Sequence, residues 1–93
     1  MNQYGVMAQN HWRRWLPQRY SRIPDPEAFF AALGEEVMRE VLELADGLAG
    51  ADRPGETYLD KVGRLNMARL NAESQVLREL VLLLPENGEQ DGG

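Results

Sequence analysis

The chain contains no cysteine, which excludes disulfides and thiolate metal sites and removes any reason to place it in an oxidising compartment. It has one histidine, His11, with no second histidine, cysteine or carboxylate nearby at ligand spacing, so a metal site has nothing to build on. Long apolar runs are missing as well. Runs such as Leu80 to Leu84 fall far short of the roughly 20 residues that cross a bilayer. Met1 to Ala8 hold neither the basic start nor the apolar core of a signal peptide, and a cytoplasmic location is expected. No alternating strand pattern and no internal repeat occurs, and no low-complexity tract precedes Glu86.

Acids are absent from residues 1 to 24, which carry Arg13, Arg14, Arg19 and Arg22. The formal net charge of −5 therefore hides a basic head and a body with six basic and fifteen acidic residues, a balance of −9. Phosphate would be drawn to the first and repelled by the second. A hydrophobic share of 43% in 93 residues is that of an ordinary globular chain and suits one domain with one core.

Tyr4, Met7, Ala8, His11, Trp12 and Trp15 recur at steps of three and four, one face of a first helix that Pro17 stops near Leu16. Gln18 to Ile23 is either a turn or a short helix; periodicity does not separate the two. Asp25 followed by Pro26 and Glu27 is a strong helix start, with an N-cap acceptor, a proline at the first position and an acid in the first turn. Phe30, Leu33, Val37, Val41, Leu44 and Leu48 then form an apolar stripe opposite Glu35, Glu36, Glu40 and Glu43, and Gly47 and Gly50 are expected to end that helix. After the turn-rich segment Gly50 to Glu56, Thr57 and Asp60 approximate a capping box. Leu59, Val62, Asn66, Leu70, Glu73, Leu77, Leu80 and Leu84 continue at helical spacing to Pro85, about 26 residues or roughly 40 Å of helix.

The expected fold is all-α: a short N-terminal helix laid across an antiparallel pair of long helices, a small three-helix bundle over residues 1–85. Residues 86–93, rich in glycine and charge, read as a disordered tail. Three helices make a thin core, and apolar surface left on the long pair points to self-association or a protein partner.

Four features could carry function. Trp12 and Trp15, interleaved with Arg13, Arg14, Arg19 and Arg22, suit three roles: core anchoring with solvated arginines, protein-interface anchoring, or stacking and phosphate pairing with nucleic acid. Asn66, Arg69 and Glu73 place polar groups on the otherwise apolar face of the last helix. They either hydrogen-bond to each other and to the first helix, fixing its register, or meet a partner. Glu35, Glu36, Glu40 and Glu43 are a solvated face or a mimic of a phosphate row. Gly63, inside the last helix, costs about 1 kcal/mol against alanine and suggests close approach of another backbone. No nucleophile stands beside a general base anywhere, so catalysis is not expected, and no cofactor is implied.

Val62-Gly63-Arg64-Leu65-Asn66-Met67-Ala68-Arg69, followed by Ala72-Glu73 and Val76-Leu77-Arg78-Glu79-Leu80-Val81, resembles the C-terminal signature of transposon-encoded TnpV-type proteins. Tyr4-Gly5 before an arginine-rich helix is similar to the start of that family's core, although the family's N-terminal segment is more basic. The resemblance implies a small protein of a bacterial mobile element and marks Gly63, Arg64, Asn66 and Arg69. The expectation is a non-enzymatic helical accessory module that binds a protein or itself through Trp12, Trp15, Arg64, Asn66, Arg69 and Glu73. Nucleic-acid binding through the four arginines and acidic inhibition of a host nucleic-acid-binding protein are its alternatives.

Overall fold

The computed structural model describes residues 1–86, folded as four helices with no strand among them: α1 (Gln3–Trp15), α2 (Pro17–Ser21), α3 (Pro26–Ala49) and α4 (Tyr58–Leu80). The all-α class is as the periodicity indicates, and the undecided segment after Pro17 is helical. Remaining positions of the expected tail, 87–93, lie outside the described residues.

α1, α3 and α4 each start where an N-cap side chain takes one of the first orphan amides. Asn2 accepts from the Gly5 amide at 2.9 Å, Asp25 from Ala28 at 3.2 Å, and Thr57 from Asp60 at 3.1 Å. Proline opens both α2 and α3. α3 runs through Gly47 and stops only at Gly50, whose φ of +69° is the left-handed conformation that favours glycine.

α3 and α4 pack as the antiparallel pair, and α1 lies along α3. The core gathers Tyr4, Ala8, Trp12 and Leu16 from α1 and its end, Phe30, Val37 and Val41 from α3, and Ala72, Val76 and Val81 from α4 and its end. Burying each large member contributes about 1.5–3 kcal/mol. Trp12 meets Phe30 edge-on, with centroids 5.4 Å apart, while Tyr20 of α2 stacks on the same ring at 5.9 Å.

At the α1–α3 crossing the two backbones nearly touch. A Cβ on Gly34 would lie 2.8 Å from the Gly5 nitrogen and 3.0 Å from its Cα, and it would also strike the Asn2 side chain. Asn2 closes this contact by donating from Nδ2 to the Gly34 carbonyl at 2.9 Å. Gly63, by contrast, has nothing within 4 Å of its Cβ position, so the close approach expected there occurs at Gly5 and Gly34 instead.

Three further expectations are corrected. The buried face of α1 is Tyr4, Gly5, Ala8 and Trp12, while Met7 and Trp15 turn outward, because α1 packs chiefly on α3 and meets α4 only along one edge rather than on a broad floor. Facing α3 from α4 are Ala68, Ala72 and Val76; Leu59 and Leu70 are exposed. Small side chains let the two long helices approach, and bulky ones are displaced to the flank. Finally, α4 ends at Leu80, short of Pro85. The amides of Val81 and Leu82 both donate to the Leu77 carbonyl, at 2.9 and 2.7 Å, and the chain turns back across α1.

Candidate functional site

The returning segment 81–86 is pinned along α1 by three donors. Trp12 Nε1 donates to the Val81 carbonyl at 3.0 Å, and His11 Nε2 contacts the Leu83 carbonyl at 2.8 Å, which requires the ring proton on that nitrogen. Glu86 donates its amide to the Trp15 carbonyl at 2.9 Å and accepts the Gln18 and Arg19 amides at 3.0 Å each, capping α2. Glu86 thus belongs to the folded domain rather than to a loose tail. His11 and Trp12 act within the chain, and of the two tryptophans only Trp15, 43% exposed, can meet another molecule.

Arg14 lies over the Trp15 ring, 4.9 Å from its centroid, and Arg19 over Trp12 at 5.2 Å. Arg13 donates to Asn10 at 2.9 Å. Arg13, Arg14, Arg19 and Arg22 are all exposed, and none forms a salt bridge among the described residues. The glutamate face of α3 does not neutralise them. Its own partner is Arg39, which bridges Glu36 at 2.5 Å and Glu43 at 3.2 Å. Arg39 therefore holds the Glu36 carboxyl below its ordinary pKa. Glu40 is held above its own, first by the hydrogen bond it shares with Glu36.

The polar residues of α4 separate into two groups. Arg64, with 10% of its side chain exposed, grips Glu56 through Nε at 2.7 Å and Nη2 at 3.0 Å and donates to the Ala49 carbonyl at the end of α3. Asp52 stands at 3.5 Å from Arg64 and receives Lys61 at 2.9 Å. This clamp closes the α3–α4 loop; Arg64 drives the Glu56 pKa down and is itself held above its ordinary value by Glu56. Farther along, the buried Tyr4 hydroxyl donates to Glu73 at 2.6 Å, and Arg69 beside it has its pKa raised first by hydrogen bonding with Tyr4. Glu73 thus ties α4 to the first helix, the register-fixing role weighed for it. Asn66 and Arg69 remain exposed.

No family model matches this chain, and neither does any curated protein or solved structure. What it presents has to be read from its own surface. Among the described residues no group of three His, Cys, Asp or Glu side chains is placed to hold a metal ion. Two open depressions of about 530 and 540 Å³ lie beside the loop clamp and between α3 and α4. The first is lined by Gly55, Leu59, Gly63 and Arg64; the second by Arg39, Glu40, Glu43 and Glu79.

The larger opening follows from the length of α1. Both apolar stripes read from the sequence border one groove between α3 and α4, and α1 fills only the half between Phe30–Val41 and Glu73–Val81. Beyond Tyr4 the groove continues, on helical register, between Leu44 and Leu48 of α3 and Leu59, Val62, Leu65, Asn66 and Leu70 of α4. There Leu48, Leu59, Leu65 and Leu70 keep 51, 78, 42 and 58% of their surface exposed. Leu48 lies seven residues after the fully buried Val41, on the same helical face, yet stands 51% exposed because α1 does not extend to it. The two-helix arm explains the elongated shape, 54 × 31 × 16 Å.

Proposed function

We propose that this protein is a non-enzymatic helical interaction module, an accessory protein of a bacterial mobile element, whose docking surface is the open half of the α3–α4 groove. The observation that carries this reading is the apolar strip Leu48, Leu59, Leu65 and Leu70, continuous with the core yet uncovered. Apolar surface of that kind is retained where another polypeptide covers it. The tryptophan and the α4 residues first considered as contacts, Trp12, Arg64 and Glu73, serve the fold. Trp15, Asn66 and Arg69 stay exposed.

Because the chain has no cysteine, a single Leu48→Cys or Leu70→Cys carries a photocrosslinker at one defined position. Discrete covalent adducts in cells from both groove positions, and none from an exposed control such as Gln75→Cys, are the expected result. Absence of adducts from both groove positions refutes the reading.

A second reading is favoured by the arginine head. Four exposed cations without an ion-pair partner among the described residues, one of them stacked on exposed Trp15, suit phosphate and base stacking. On this reading DNA quenches Trp15 emission, and the effect weakens steeply as salt rises; no quenching removes it. Acidic mimicry has less support, since Arg39 interrupts the glutamate row at Glu36 and Glu43.

A further inference from the structure

We infer that the open half of the groove is covered by a second copy of this chain, the two α3–α4 arms packing face to face as a four-helix bundle about a two-fold axis. This rests on the docking surface proposed above and names its occupant. Three observations favour a copy over an unrelated chain.

The first is area. The exposures of Leu48, Leu59, Leu65 and Leu70, with half-buried Leu44 and Val62, amount to on the order of 500 Å² of apolar surface, near the top of what a monomer shows as its largest patch. Two copies would remove about 1,000 Å² from water, the lower bound for a specific interface. That predicts a concentration-dependent dimer rather than an obligate one.

The second is charge. A chain with net charge −5 repels its copy unless the meeting surfaces are neutral. On the arm, Lys61 pairs with Asp52, and Arg64 with Glu56 and Asp52, while Glu36 and Glu43 are held by Arg39. Several of the arm's carboxylates are thereby neutralised within their own chain, which lowers the repulsion between two copies. Exposed charges of both signs flank the strip along α4, Asp60 beside Leu59 and Arg69 beside Leu70.

The third is Asn66. It sits at helical spacing between Val62 and Leu70, in the middle of the apolar strip, and makes no side-chain hydrogen bond among those found in the described residues. A carboxamide carries both donor and acceptor, so it can satisfy its own copy across a two-fold axis. An asparagine in a largely apolar helical seam fixes register and oligomer size in the same way, here with the exposed Arg69 one turn further along.

Sedimentation equilibrium of the full chain from about 1 to about 200 µM tests this, with far-ultraviolet circular dichroism in parallel. The wild type should approach twice its 10.5 kDa mass. The double variant Leu48→Glu/Leu70→Glu should stay monomeric with unchanged helicity, both sites being exposed in the monomer. Asn66→Asp, which sets two like charges against each other at the axis, should raise the dissociation constant about tenfold or more. A wild type that remains monomeric throughout, or a dimer indifferent to the double variant or to Asn66→Asp, overturns the inference. A naphthalenesulfonate dye separates the two levels of failure. A monomer whose dye binding is lost in the double variant refutes only the second copy, whereas a monomer that binds no dye refutes the docking surface as well.

Discussion

The contact between Gly5 and Gly34 makes a sharp demand on the chain, and Gly34→Ala tests it. In an exposed helix interior, glycine to alanine is favourable by about 1 kcal/mol, because alanine restricts the unfolded backbone and suits the helix. At Gly34 the new methyl would sit 2.8 and 3.0 Å from the Gly5 backbone and against Asn2, and backbone cannot rotate away as a long side chain can. α1 must lift off α3. Overpacking of this kind costs about 1–3 kcal/mol, and loosening the Asn2–Gly34 hydrogen bond costs about 1 kcal/mol more. Set against the helical gain, the net loss is about 1–3 kcal/mol. Gly63→Ala supplies the control: it makes the same chemical change in α4 with nothing within 4 Å, and it should stabilise by about 0.4–1 kcal/mol. In a domain of this size the two variants would melt on opposite sides of the wild type, at about 4–8 °C per kcal/mol. Urea denaturation followed by circular dichroism and by tryptophan emission gives both values. A Gly34→Ala variant as stable as Gly63→Ala would refute the close crossing.

Tyr4→Phe removes the donor to Glu73 while keeping the ring in the core and should cost about 1–2 kcal/mol, read as a lower urea midpoint at unchanged slope. Trp12→Phe deletes the indole donor to Val81; amide exchange in segment 81–86 should accelerate well before that of α3. For the loop clamp, the folded pKa of Glu56 lies below its unfolded value, so its contribution is present above the ordinary carboxylate pKa and is lost as pH falls through the folded one. Protection factors of the amides in residues 50–57, taken relative to the intrinsic exchange rate at each pH, should therefore fall selectively on acidification, and Glu56→Gln should abolish that pH dependence.

How far the sequence reached depended on the range of the interaction involved. Asp25-Pro26, Thr57 and the glycine at position 50 act on neighbours a few residues away, so the limits of α3 and the start of α4 were legible from side-chain chemistry alone. The apolar stripes were legible too, but not what would cover them. Periodicity fixes which residues share a face and says nothing of whether a third helix is long enough to reach all of it. Alternation of large and small residues was the missed signal on α4, where Ala68, Ala72 and Val76 at steps of four are the shape that lets two helices close together. The end of α4 was misplaced for a related reason: no local signal marks Leu80, and the turn there is held by Trp12, 69 residues away.

The sequence by itself therefore determined the helical class, the caps, the separation of a basic head from an acidic body and the absence of thiol chemistry, since each depends on residue type or short spacing. Only the tertiary structure decided that Gly5 and Gly34 rather than Gly63 mark the close crossing, that Trp12 is spent inside while Trp15 is not, and that Glu73 and Arg64 bind their own chain. It also decided that half of one groove stays open, because α1 spans about 20 Å beside partners of roughly 35 Å. Burial is a property of what lies opposite a residue, and in this chain what lies opposite is brought there from many residues away.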